Sequence, residues 1–215
     1  MKVYRISEVL EAVRVALDEN MVSKPLTDLG DIDTLSLNDI IRSKIVEAVR
    51  QVHASAPSYL LDGGYHLDSV QWNSDNRSGW ILLPEDFMRL IVFQMSDWDR
   101  PVYYAINEDD EQYALQSSRF KGIKGTPQKP VCVIGIRTEG RVMEFYSSKS
   151  NSAKILRGLY MPYPIIESDD DGEYIYICER CFDAVKYAIA SLAVTAYGQG
   201  DKASLLTELS KSALV

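Results

Sequence analysis

Residues 34–57, TLSLNDIIRSKIVEAVRQVHASAP, decide how the chain is read. Leu37, Ile40, Ile41, Ile45, Ala48, Val49 and Val52 recur at steps of three and four. That spacing puts them on one face of an α-helix. Ser36 stands where a cap is needed, and Asp39, three residues on, completes a short capping box. Pro57 stops the helix. At 1.5 Å per residue, 36–56 predicts a rod roughly 31 Å long, enough for the spine of a domain. Its polar face carries Arg42, Lys44, Glu47 and Arg50.

Outward from this helix the pattern stays helical at both ends. Ile6, Val9, Leu10, Val13 and Leu17 predict an earlier amphipathic helix. The loop 24–33 is rich in Pro, Gly and Asp, and its shortness favours an antiparallel helix pair. Near the other end, Phe182, Val185, Ala188, Ile189, Leu192, Ala193 and Ala196 keep helical spacing, ended by Gly198. Asp201 is placed to cap a last helix over 202–214, with Leu205, Leu206, Leu209 and Leu214 apolar.

The middle reads as short strands. Residues 65–72 and 80–83 flank the turn-forming NSDNRSG and predict a hairpin with Trp72 near Trp80. Pro84, Glu85 and Asp86 look like a helix first turn. Segments 102–106, 112–116, 131–137, 141–146 and 173–177 are strand-like, and Thr138, Glu139 and Gly140 mark a second hairpin. Residues 160–164 are extended and edge-like because of Pro162 and Pro164. The expected fold class is α+β: a helical bundle of two N-terminal and two C-terminal helices with a β-rich insertion in the middle. The expected boundaries are 1–57 and 179–215 for the bundle and 58–178 for the insertion.

Composition excludes several functions. The 215 residues carry a net charge of −8, which repels phosphates and opposes sequence-independent nucleic-acid binding over a broad surface. The N-terminus has no signal-like apolar run, and no stretch approaches a membrane span. Three Cys give no disulfide framework, so a reducing compartment is expected. Thirteen Tyr against five Phe suit either interfaces or half-buried sheet positions.

No residue constellation spells out a reaction. GxSxG, HExxH, P-loop and GxGxxG patterns are absent. Cys178 and Cys181 form a CxxC, but without a thioredoxin-like context or a second ligand pair for zinc. Asp169, Asp170, Asp171, Gly172 and Glu173 resemble part of a calcium loop, yet the twelfth position is Cys178 instead of Glu. These are read as structural cysteines and a solvated turn, so no catalytic, cofactor or metal site is expected. Lys121, Lys124 and Lys129 make the loop 121–130 basic, fit either to touch a phosphate or acidic partner or to be solvated. Trp98, followed by Arg100, suits an interface anchor or a core position.

Three stretches in order carry a resemblance: IIRSKIVEAVRQVHASAP at 40–57, LLPEDFMRLIVFQMSDWDRPV at 82–102, and the Ala-rich helix 184–197 with the short helix after it. Together they resemble the head-to-tail adaptor (connector) proteins of tailed bacteriophages, most closely the ring proteins of crAss-like phages. The segment from Leu83 to Leu90 before Trp98, Arg100 and Pro101 is the most specific part. The resemblance implies a structural virion protein at the head–tail junction, made in the host cytoplasm. It implies a dodecameric ring beneath the portal that extends the DNA channel, helps retain the genome and docks the tail. Expected partners are further copies of the chain, the portal and neighbouring tail proteins, with DNA passing without specific binding, and no membrane. Candidate interface residues are Trp98, Arg100, Lys121, Lys124, Leu205, Leu206 and Leu209. The last helix either docks on a neighbour or packs back on its own bundle. Competing readings are an interaction module that forms no ring and a small cytosolic enzyme using Cys132, Cys178 or His66.

Overall fold

A computed structural model describes residues 1–18, 36–75, 77–116, 118, 120 and 123–215. Among them are five α-helices and eleven strands in three sheets. The first half of the chain holds β1 (Lys2–Arg5), α1 (Ile6–Asp18), α2 (Leu37–Ser55), β2 (Tyr65–His66), β3 (Gln71–Trp72), β4 (Gly79–Leu82), β5 (Phe87–Met95) and β6 (Ile106–Asn107). Then come α3 (Glu111–Gln116), β7 (Cys132–Arg137), β8 (Gly140–Phe145), β9 (Ile155–Pro162), β10 (Ile166–Asp169), β11 (Gly172–Ile177), α4 (Phe182–Ala196) and α5 (Gly200–Ser212). The chain forms two compact units, Met1–Gly63 with Pro164–Val215, and Gly64–Tyr163.

In the first unit, α2 starts as its cap chemistry dictates. Asp39 N–H donates to Ser36 Oγ while Ser36 N–H donates to the Asp39 carboxylate, and both halves of the capping box are made. Ile41, Ile45, Ala48, Val49 and Val52 are buried. Helix α2 packs chiefly on α4, which also carries α1 and α5. The loop 24–33 lies outside the described residues. Beside the helices runs an antiparallel sheet in the order β1-β11-β10. Its Ile175 and Ile177 are fully buried, and Tyr4 of β1 stacks on Phe182 of α4 at 4.4 Å between ring centres. Arg42 on the polar face of α2 reaches Glu173 of β11 through two guanidinium contacts, so that face is partly engaged within the chain.

The second unit contains two sheets, β2-β9-β5 and β3-β4-β8-β7-β6, the latter with a parallel β6–β7 edge. Phe87, Phe93, Met95, Trp98, Met143 and Phe145 form the centre of its core. The hairpin β7–β8 closes with Arg137 opposite Gly140, whose φ of +131° is open to glycine and strained for other residues.

The fold class differs from the sequence expectation. The bulk is β-rich, and strands belong to both units, so the chain is a mixed α+β protein and not a helical bundle with an insertion. Locally, the structure departs from the sequence expectation at four places. Residues 2–5 pair with β11 before the first helix begins. The apolar run after Pro84 is buried on consecutive residues from Leu90 to Phe93, as a strand sandwiched on both faces requires, and Pro84 to Phe87 forms a turn instead of a helix start. Strand β9 is central, flanked by β2 and β5, and Pro162 is tolerated there as its last residue. Segment 112–116 is helical because Asp110 accepts the Gln112 N–H at 2.9 Å and caps it. The Trp hairpin forms, with Gln71 opposite Trp80 and Trp72 opposite Gly79, so the two indoles lie on different faces.

Candidate functional site

Helix α5 presents an unusual distribution of side chains. Its inner face against α4 is small and hydroxylated. Ser210 Oγ donates to Ala184 O at 2.8 Å, Ser191 Oγ donates to Ala203 O at 2.8 Å, and the Ser191 and Thr207 hydroxyls meet at 2.8 Å. Small residues let the two backbones approach, and carbonyl acceptors satisfy the buried hydroxyls. Leu206 fills the seam at 2% exposure, whereas Leu205 and Leu209, one turn apart, are 50% and 38% exposed. Lys202 Nζ ties the start of α5 to Leu17 O of α1 at 3.1 Å. A hollow of about 150 Å³ runs between α2, α4 and α5, lined by Gln51, Val52, Leu192, Thr207, Lys211 and Leu214 among others.

The remaining candidate interface residues fall in different surroundings. Trp98 is 4% exposed and meets Phe93 edge-on at 5.5 Å and Phe145 at 6.0 Å, so it belongs to the core of the second unit. Its indole N–H is buried without a partner among the described residues. Arg100, two residues on, is exposed. Lys124 is half-buried at the rim of a polar cleft. Lys121 lies outside the described residues.

The cysteines are internal. Cys132, Cys178 and Cys181 are free thiols at 0–1% exposure. Cys178 N–H donates to His53 Nε2 at 3.2 Å, which makes that nitrogen the unprotonated one. The Cys178 thiol donates to Asp62 O and the Cys181 thiol to Leu60 O. The contact with Cys181 and then burial push the Cys178 thiol up, while the same contact draws Cys181 down against burial. Burial alone pushes Cys132 up. The CxxC thus links the corner before α4 to the segment 60–62 and to α2. His66, on β2, belongs to the second unit.

The turn 169–173 closes the β10–β11 hairpin, and two of its carboxylates are held by one guanidinium. Arg5 reaches Asp169 at 2.6 Å and Asp171 at 3.4 Å. The Arg5 hydrogen bond, opposed by desolvation, holds Asp169 below the usual carboxylate range. Among the described residues, no group of three or more His, Cys, Asp or Glu is placed to hold a metal ion, and no helix is long and apolar enough to cross a membrane.

Sequence reasoning did not find the polar cleft of the second unit. Its wall residues Asp75, Arg77, Ser78, Gln116, Gly125, Ser147 and Ser148 come from four separate segments. The available signals were weak: consecutive serines after a strand, and a Gly inside a Lys-rich loop. Compared with known proteins, the sequence matches no family model and no curated protein sequence.

Proposed function

We propose that the chain is a structural head-to-tail adaptor of a tailed phage, a ring subunit that sits below the portal, extends the DNA channel and docks the tail. The reading gives it no catalysis. Its partners are further copies of itself, the portal and the adjoining tail proteins, and its place is the head–tail junction of the virion.

The observation that carries the reading is the outward pair Leu205 and Leu209 on α5. A helix that buries Leu206 but leaves Leu205 and Leu209 outward forgoes their apolar burial as a monomer and recovers it against a partner. Tyrosines add to it: Tyr59, Tyr65, Tyr103, Tyr104 and Tyr163 are each more than 40% exposed, and Tyr is enriched at protein interfaces. Repeated heterologous contact between copies closes into a ring when the rotation permits. A net charge of −8 suits a channel through which DNA slides without adhering. The sequence likeness to adaptor rings at 40–57, 82–102 and 184–197 supplies the remaining support.

The test is the assembly state of the double variant Leu205→Asp/Leu209→Asp. Mass photometry should show loss of ring or portal-bound species, with an unchanged circular dichroism spectrum. A double variant that assembles like the parent chain contradicts a role for α5 in docking.

A further inference from the structure

The cleft in the second unit has a volume of about 260 Å³ and a polar floor. It lies between residues 75, 77 and 78, the end of α3, the segment 124–127 and the residues that follow β8. Ser78, Gln116, Ser147 and Ser148 line it at 6%, 7%, 2% and 5% exposure. Burying four polar side chains at one place costs free energy unless each is hydrogen-bonded.

Most of these groups are fixed in position. Gln116 Oε1 accepts the Gly125 N–H at 2.8 Å, and its Nε2 donates to Gln112 O at 3.0 Å. Ser78 Oγ donates to Asp75 at 2.9 Å. Ser148 N–H donates to Arg77 O at 3.0 Å and its hydroxyl to Asp97 at 3.4 Å. Ser147 is the exception. Its Oγ accepts the Val131 N–H at 3.3 Å, and its own O–H has no acceptor among the described residues. A donor buried to this degree with its proton unused points to an acceptor supplied from outside. Glycine at 125 keeps the approach open, since a Cβ there would lie 2.5 Å from Ser147 Oγ.

The charges have the same sense. Arg77 and Lys124 line the cleft, and neither has an ion-pair partner among the described residues. Among the described residues Asp75 is the one carboxylate lining it, and it is committed elsewhere. It accepts from the Arg77 N–H at 3.0 Å, the Ser78 N–H at 2.9 Å and the Ser78 hydroxyl. Burial raises its pKa, and these hydrogen bonds with the nearby Lys124 charge outweigh burial, so it stays ionised and turned to its own turn. Two cations and a spare hydroxyl donor thus line a cleft in a chain whose net charge is −8.

We propose that this cleft binds a small oxyanion, the phosphate or carboxylate group of a metabolite-sized molecule, through Lys124, Arg77 and the Ser147 hydroxyl. Its volume is below the roughly 300–1,000 Å³ of drug-sized sites, which limits the occupant to a small molecule. The site is independent of the adaptor reading and lies within one compact unit.

Isothermal titration of the full chain with inorganic phosphate, and separately with citrate, tests it. Saturable binding of at least one is expected. Lys124→Ala should weaken it about tenfold, the loss of one charge-assisted hydrogen bond. Lys124→Arg should retain most of it, and Gly125→Ala should weaken it by crowding Ser147. Lys129→Ala, exposed on the same loop and outside the cleft, should leave it unchanged. The proposal is overturned if neither oxyanion binds, or if Lys124→Ala and Lys129→Ala weaken binding equally. It is also overturned if a short DNA duplex binds with Lys124 dependence while phosphate and citrate do not, because the ligand would then be a nucleic-acid backbone.

Discussion

Trp98 shows how one residue can be read two ways until its surroundings are known. Flanked by Asp97, Asp99 and Arg100, it has the setting of an interface anchor in sequence, yet it lies among Phe93 and Phe145 with an unpartnered indole N–H. A core position predicts that Trp98→Ala costs about 3–5 kcal/mol in chemical denaturation. Trp98→Phe should cost far less, because it keeps an aromatic ring and removes the buried donor. Equal effects of the two substitutions would argue against this packing. Tyr160 makes a prediction about pH. Its hydroxyl donates to Asp86 at 3.0 Å, and burial, then that hydrogen bond and the Asp86 charge, push its pKa up to about 12. An unfolded tyrosine titrates near 10. The folded state therefore holds this proton more tightly, and its contribution is complete below about pH 10 and lost as pH rises through about 12. Stability measured across that interval should fall less steeply in Tyr160→Phe than in the parent chain. Identical slopes would remove Tyr160 from the alkaline transition.

At the scale of elements, α2 was legible because its signals are local: a 3.6-residue period, a capping box and a terminating proline all lie within 24 residues. The hairpin β7–β8 and the helix α4 were legible for the same reason. What the sequence hid was set by pairing over distance. Strand β1 exists through β11, some 170 residues away, and β9 becomes central because β2 and β5 flank it. The apolar run in β5 carries register shifts against β9, so neither strict alternation nor helical spacing appears in it. The polar cleft was hidden too, since Ser78, Gln116 and Ser147 are brought together by the fold alone. Of the candidate interface residues, the leucines of the last helix were recognised as apolar, but their division between inside and outside needed the α4 contact. That division predicts stabilities. Leu206→Ala should cost about 2–5 kcal/mol, whereas Leu205→Ala should stay within about 0.5 kcal/mol in the monomer. Thermal melts of the two variants check it, and a larger loss at Leu205 would mean that α5 is seated the other way round.

For the whole molecule, the adaptor proposal rests on an acidic chain, exposed tyrosines on both units and an outward apolar pair on α5. Helix α2 is capped, packed on α4 and bridged to β11 through Arg42 and Glu173. If the adaptor proposal holds, a ring closes only when the angle between neighbouring copies is constant. The most direct test is mass photometry of the purified chain, alone and mixed with portal rings of a crAss-like phage. A discrete high-mass species is expected in the mixture, a portal ring carrying a full complement of this chain, whether or not the chain forms rings alone. A population that stays monomeric and leaves the portal mass unchanged would contradict it.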